Sequence, residues 1–368
     1  MKIICKQENL ITGLNKVSHL TGKKINLPIL NNILFKVSNG NIELLSTNLE
    51  IGIKTQVRGK IEQEGRVAAP SKILSDYVAL IDAQENITLE LKDDKMDIFS
   101  SGWQTKIKVN LAEDYPLIPE VENKEDIKLK IGQFKKCLNQ ILFAASLDET
   151  RPELTGVLIW LKENELTITS TDSYRLSEKK ISIENGVKKE EKIIIPAKTM
   201  QELARILDDN TEGELSFFID DNQVKFTFGD TSLISRLIES EYPNYKEIIP
   251  ANFNLNIEFK TFEMIKAVKA SSLFAKSGIF DVTLHFKNEE IVIKSINSQI
   301  GENVIKIKSQ GKVSSEQEVV FNYKYLLDGL NNMNSEKTKI FVNTPNTPVV
   351  FKPVGDDKYI YLVMPIRQ

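Results

Sequence analysis

The run Glu165-Leu166-Thr167-Ile168-Thr169-Ser170-Thr171-Asp172-Ser173 decides how the rest of the sequence is read, because it occurs three times in altered form. Asn41-Ile42 leading to Ser46-Thr47-Asn48-Leu49 precedes it by 124 residues, and Glu290-Ile291 leading to Ser295-Ile296-Asn297-Ser298 follows it by 125. A second anchor keeps the same step: Ala69-Pro70-Ser71-Lys72, Ile195-Pro196-Ala197-Lys198 and Phe321-Asn322-Tyr323-Lys324 are 126 residues apart. A third pairs Glu113-Asp114-Tyr115-Pro116 with Glu239-Ser240-Glu241-Tyr242-Pro243. A period this long is that of a domain, not of a short solenoid repeat. Three units follow, expected over residues 1–123, 124–252 and 253–368, with junctions near Glu122–Glu125 and Pro250–Asn254.

Each unit shows the same local patterns. Alternation with a period of two marks half-buried strands at Ile51/Ile53/Thr55/Val57, Ile107/Val109/Leu111, Ile127/Leu129/Ile131, Val224/Phe226/Phe228, Leu255/Ile257/Phe259 and Val282/Leu284/Phe286. Turn-forming clusters such as Ser38-Asn39-Gly40, Lys162-Glu163-Asn164 and Asp220-Asp221-Asn222 favour antiparallel hairpins between them. Two helical stripes per unit complete the pattern: Leu10/Leu14/Val17 with Leu74/Tyr77/Val78/Ile81, Phe134/Leu138/Ile141 with Met200/Leu203/Leu207, and Met264/Val268 with Leu326/Leu327/Leu330. The expected fold class is α+β, three repeated domains of two helices packed on antiparallel sheets.

Lysines recur on those helices. Lys72, Lys198 and Lys324 hold one equivalent position, and at 100° per residue Lys72 and Lys198 fall about 200° from Leu74 and Met200, away from the apolar stripe. Arg205 lies on the face of Lys198, and Lys16, Lys136 and Lys266 stand opposite the stripes of the first helices. The 368 residues carry 48 basic and 51 acidic side chains, a net charge of −3. Bulk charge therefore cannot hold a polyanion, but a repeated basic helical face can meet phosphates without reading sequence.

Motifs for chemistry are missing. His19 and His285 fall in different repeats, and no phosphate-binding glycine loop, dinucleotide fingerprint or nucleophile elbow occurs. Asp93-Asp94, Asp208-Asp209, Asp220-Asp221 and Asp356-Asp357 sit in expected turns, where solvated loop tips are the ordinary outcome. Cys5 and Cys137 have no metal or redox spacing, and no apolar run approaches the roughly 18 residues that cross a bilayer. The expectation is a cytoplasmic binding protein without cofactor or metal.

The chain resembles the bacterial sliding clamp family, the β subunit of DNA polymerase III, through Leu27-Pro28-Ile29-Leu30-Asn31-Asn32, Thr47-Asn48-Leu49-Glu50, Thr171-Asp172-Ser173-Tyr174-Arg175-Leu176, Glu241-Tyr242-Pro243-Asn244-Tyr245 and Val363-Met364-Pro365-Ile366-Arg367. The resemblance spans the sequence in order. It implies a head-to-tail homodimer closing a six-domain ring around double-stranded DNA, without catalysis. Twelve helices at about 9 Å spacing make a circle roughly 34 Å across, which leaves a hole of roughly 24 Å for duplex DNA.

The resemblance further implies a hydrophobic cleft between the second and third domains that takes a short linear motif. Its owners would be the DNA polymerase III catalytic subunit, the clamp loader, other polymerases and repair factors. The matching positions are Leu154, Thr171, Tyr174, Arg175, Leu176, Pro243, Ile248, Leu362, Met364, Pro365, Ile366 and Arg367. The pliable methionine and the leucines suit an adaptable apolar pocket, and Arg175 and Arg367 can meet acidic or backbone acceptors. Lys24 matches a DNA-contacting loop, so the expected DNA-facing set is Lys24, Lys72, Lys136, Lys198, Arg205, Lys266 and Lys324. At the dimer seam Leu273 and Phe274 fit the third-domain side, while Lys106 stands where the family commonly has an aromatic. Tyr174 replaces a usual histidine, and Gln368 a usual apolar residue. Two other classes stay open on the residues alone: an interaction scaffold that never closes on DNA, and an enzyme built from turn carboxylates.

Overall fold

The computed structural model describes residues 1–22, 27–119, 121, 127–183, 186–187, 189–207, 213–313 and 315–367. The chain divides into two compact units, Met1–Ile131 with Arg205–Leu237, and Gly132–Ala204 with Ile238–Gln368. The described residues contain six helices, α1 (Gln7–Ser18), α2 (Ser71–Ala79), α3 (Ile131–Ile141), α4 (Ala197–Ile206), α5 (Thr261–Ser272) and α6 (Tyr323–Asn331), and three antiparallel sheets. The α+β class read from the sequence is the class observed.

In the first unit an eight-stranded sheet runs in the order 127–130, 214–220, 223–228, 231–236, 51–57, 41–47, 32–38, 65–70. A five-stranded sheet runs 59–63, 2–6, 86–92, 95–100, 103–108. Helices α1 and α2 pack on each other, and Leu10, Leu14, Val17, Leu74 and Val78 are fully buried. At about 1.5–3 kcal/mol for each large side chain removed from water, such stripes hold the helices in place. The second unit has one twelve-stranded sheet in the order 191–196, 156–162, 165–171, 175–182, 359–363, 349–353, 337–342, 255–260, 301–313, 290–297, 281–287, 317–322. Helices α5 and α6 pack together in this unit, burying Met264, Val268, Leu326 and Leu330.

One joint is built twice. In the first unit strand Thr231–Arg236 pairs with Ile51–Val57, and in the second Tyr359–Val363 pairs with Arg175–Ser182. The closing strand of one sequence repeat thus completes a sheet begun by the repeat before it. Residues 205–237 of the second repeat accordingly belong with the first unit.

Three local expectations change. Ile131 does not continue the strand of Ile127 and Leu129; the strand ends at Lys130 and α3 begins at Ile131. Strand Trp103–Lys108 stops before Val109 and Leu111, and Leu111 is exposed ahead of a 3-10 turn over Ala112–Asp114. Lys16 is not a free solvated charge: its Nζ donates to Thr231 Oγ1 at 3.1 Å and sits 5.8 Å from the Phe228 ring centroid.

Candidate functional site

The repeated Thr-Asn/Asp motif forms a turn, and the expected cleft residues Tyr174, Arg175 and Leu176 follow from it. Thr171 Oγ1 donates to the Arg175 carbonyl at 2.7 Å, and Asp172 Oδ1 accepts the N–H groups of Tyr174 and Arg175, each at 3.0 Å. Ser173 is thereby held at φ 77°, which exposes both it and Tyr174. Thr47, Asn48 and Leu49 make the same turn in the first unit: Thr47 Oγ1 donates to Ile51 O at 2.9 Å, Asn48 Oδ1 accepts from Ile51 N at 2.8 Å, and Leu49 has φ 76°.

Past the turn, Leu176 lies opposite Leu362 and Arg175 opposite Val363. Met364 N donates to Tyr174 O and Ile366 N to Val320 O, both at 2.8 Å, which lays the segment 364–367 along the site. The twelve expected cleft residues separate into floor and surface. Leu154, Thr171, Leu176, Leu362 and Pro365 are buried; Leu176 and Leu362 belong to a core cluster with Leu158, Ile194, Tyr245 and Val350. Met364 packs at the margin of that cluster and, like Pro243 and Ile366, is half-buried. Tyr174, Ile248 and Arg367 are exposed. Met364, Pro243 and Ile248 present apolar side chains rather than reacting groups.

Two buried arrangements hold the walls. Tyr245 donates through its hydroxyl to Glu178 Oε2 at 2.5 Å and accepts from Thr169 Oγ1 at 3.1 Å. Glu178 is 3% exposed, with Lys246 Nζ 3.7 Å away. Burial and the facing Glu178 carboxylate together push the Tyr245 phenol well above its ordinary range. This network pins the 240–249 segment that carries Pro243 and Ile248. On its other flank the segment borders a cavity of about 500 Å³ lined by Leu158, Trp160, Lys192, Ile194 and Tyr242.

At the second arrangement, Arg175 Nε donates to Asp172 Oδ2 at 2.9 Å, and an Nη group donates to Asp328 of α6. Its guanidinium lies over the Tyr325 ring at 4.7 Å, and Tyr325 stacks on Tyr174 at 6.4 Å between centroids. Sequence reasoning missed Tyr325, Asp328 and Glu178 as part of the site. They lie on other elements, and no local pattern marks them.

The expected DNA-facing lysines fall in register. Lys72, Lys198 and Lys324 each occupy the second position of α2, α4 and α6, and Lys136 and Lys266 the sixth position of α3 and α5; all five are exposed. Lys72 pairs with Asp76 at 2.8 Å, which raises its pKa, and Lys198 lies 3.4 Å from Glu149. Lys324 Nζ sits 3.5 Å from the Phe280 ring centroid, and Lys266 Nζ 4.5 Å from that of Phe262. Arg205 points elsewhere: its guanidinium donates to the carbonyls of Asn15 and Lys16 at 2.8 and 2.9 Å, in the last turn of α1. Lys24, Gln368, Asp208 and Asp209 lie outside the described residues.

The expected seam residues sit beside unpaired sheet edges. In the first unit, Lys106 is on edge strand Trp103–Lys108, with Nζ 3.9 Å from the buried Asp97. Trp103 packs edge-on against Tyr77 of α2 at 5.9 Å, and Ile73 of that helix and Leu80 just past its end are exposed. In the second unit, residues 301–308 pair on one side only, because the strand 255–260 joins at Ser309. Leu273 beside them is 71% exposed, Ile296, Ile300 and Val304 are exposed too, and Phe274 is half-buried.

No cluster of three metal-ligating side chains occurs among the described residues. His285 Nε2 lies 3.0 Å from Glu316, and Asp356 pairs with Lys179. Burial pushes the thiols of Cys5 and Cys137 up to about 12, far from a reactive thiolate. No described helix is long and apolar enough to cross a membrane.

Three family models match in succession: the N-terminal domain of the DNA polymerase III β subunit over residues 1–119, its central domain over 128–244 and its C-terminal domain over 246–367. The chain is 29% identical over 377 residues to a β sliding clamp of Staphylococcus aureus and 28% identical over 375 residues to that of Synechococcus elongatus, covering all of this chain and 99% of each relative. A crystal structure of the DNA polymerase sliding clamp from Bacillus subtilis superposes with a TM-score of 0.93 at 27% identity, over 100% of this chain and 99% of that one.

Proposed function

Because the chain belongs to the DNA polymerase III β subunit family, the bacterial sliding clamps, we propose that it is the non-catalytic processivity factor of a replicative polymerase. Two copies close head to tail into a ring on duplex DNA, each contributing three modules near residues 1–123, 124–252 and 253–368. The observation that carries this reading is the recurrence of an exposed lysine at the second position of α2, α4 and α6, in a chain of net charge −3. Spaced point charges of this kind follow a phosphate backbone without reading bases, and enclosure supplies the retention that weak contacts lack.

The seam follows from the two unpaired edges. Strand Trp103–Lys108 of one copy and residues 301–308 of another would extend each other's sheets, covering Trp103, Leu273, Ile300 and Val304. Partners dock a short apolar motif in the cleft of Pro243, Ile248, Met364 and Ile366, and the tether raises the polymerase's effective concentration at the primer end. The partners are the catalytic subunit, the clamp loader and other polymerases or repair factors carrying such a motif, in the cytoplasm. An interaction scaffold that does not encircle DNA finds no specific observation in its favour.

The test is retention on nicked circular DNA before and after linearisation. Protein loaded with its cognate loader is expected to stay on the circle and leave once an end is cut. Lys72→Glu, Lys198→Glu and Lys324→Glu combined are expected to shorten residence and flatten its salt dependence. Equal loss from circular and linear DNA would overturn the reading.

A further inference from the structure

We propose that Asp328 of α6 is a positioning residue that sets the cleft's charge preference, by holding Arg175 neutralised and stacked. The inference rests on the cleft reading above and adds what the cleft selects.

A guanidinium has five N–H donors in one plane, and it binds a carboxylate best when two of them face it unencumbered. Arg175 is not free in that sense. Its Nε is given to Asp172 and an Nη group to Asp328, and the side chain is only 12% exposed. Its faces are occupied as well, by Tyr325 at 4.7 Å and Phe143 at 5.6 Å. Two carboxylates around one cation leave no net positive charge for a peptide side chain to meet.

The clamp on Arg175 is rigid on both sides. Asp172 is fixed by the N–H groups of Tyr174 and Arg175. Helix α6 is seated against strand Tyr359–Val363: a Cβ on Gly329 would lie 2.0 Å from the Tyr361 ring, and Tyr361 OH donates to the Tyr325 carbonyl at 2.8 Å. The backbone that carries Asp328 is therefore fixed opposite Arg175. Arg367, by contrast, is exposed and has no ionic partner among the described residues. Discrimination between partners is a difference of affinities, and a masked cation removes the preference for acidic motifs at this point of the cleft.

The experiment uses the full chain and two labelled probes, a pentapeptide of apolar residues around a central serine and its twin with aspartate in place of that serine, read by fluorescence anisotropy. The unmodified protein is expected to bind the two within about twofold of each other. Asp328→Asn frees part of the Arg175 fork and shifts the ratio at least fivefold toward the aspartate peptide, and Asp328→Glu restores the original ratio. A fivefold aspartate preference in the unmodified protein, or an unchanged ratio in Asp328→Asn, overturns the proposal. If neither peptide binds the unmodified protein, the cleft reading itself fails. The clamp on Arg175 is then judged by a thermal double-mutant cycle of Arg175→Lys and Asp328→Asn, where melting shifts smaller in combination than in sum support it and additive shifts refute it.

Discussion

Tyr245→Phe removes one oxygen from the wall of the cleft, and its consequence can be worked out from the structure. The hydroxyl is a buried node that donates to Glu178 and accepts from Thr169. Without it, Glu178, 3% exposed, keeps Lys246 at 3.7 Å as its one ion-pair partner among the described residues. A hydrogen bond to a charged group contributes about 1.5–3 kcal/mol, and a buried carboxylate denied its donor loses the full amount. In a unit of this size each kcal/mol lowers the melting temperature by about 2–4 °C, so a drop of roughly 3–12 °C is expected. The substitution keeps the ring and its packing, so the loss belongs to the network and not to a cavity. A Glu178→Gln background separates the two: the amide no longer needs a phenol to balance its charge, and the cost of Tyr245→Phe is expected to fall by at least half. Calorimetric melting of the four proteins measures this directly. A shift under 1 °C for Tyr245→Phe, or an undiminished shift in the Glu178→Gln background, would refute the assignment of Tyr245 as the anchor of the cleft wall.

Gly329→Ala is expected to cost about 1–3 kcal/mol despite the better helix propensity of alanine, because the new methyl meets the fully buried ring of Tyr361; chemical denaturation at constant m-value checks it. Above pH 9 stability is expected to fall. Burial raises Cys5, Cys137 and Tyr115 to about 12 in the folded state, so their stabilising contribution is complete below the unfolded pKa values near 9 and 10. That contribution is lost as pH rises toward 12, by up to about 1.4 kcal/mol per pH unit for each group, and a melting temperature flat from pH 9 to 11 would contradict it. Met364→Ala combined with Ile248→Ser is expected to weaken probe-peptide binding at least tenfold, with a melting shift below 3 °C. Leu176→Ala is expected instead to destabilise by about 2–5 kcal/mol, since its side chain is a fully buried floor residue.

Several of these outcomes separate what was legible in the sequence from what was not. The Thr171-Asp172 and Thr47-Asn48 motifs were legible because an Asx turn is closed by neighbours within four residues. Helix positions of Lys72, Lys198 and Lys324 were legible for the same reason, since a helical stripe is a local period. Local reading failed where one apolar alternation crosses an element boundary: Ile131 continues the pattern of Ile127 and Leu129, yet its N–H is taken by Gly213 O and the chain turns into α3. Arg205 shares the face of Lys198 by angle alone, but the carbonyls at the end of α1 claim its guanidinium.

The sequence by itself determined the threefold repeat, the α+β class and which residues stand on each helix face, because these depend on spacing within a few turns or strands. Only the tertiary structure decided that Tyr359–Val363 pairs with the strand begun at Arg175, that Leu176 and Leu362 are core residues, and that Asp328 reaches Arg175 across 153 positions of chain. A strand's unpaired edge and a cation's unspent donors can be satisfied by any segment that the fold brings near. Which segment arrives is fixed by packing, and packing has no local signature.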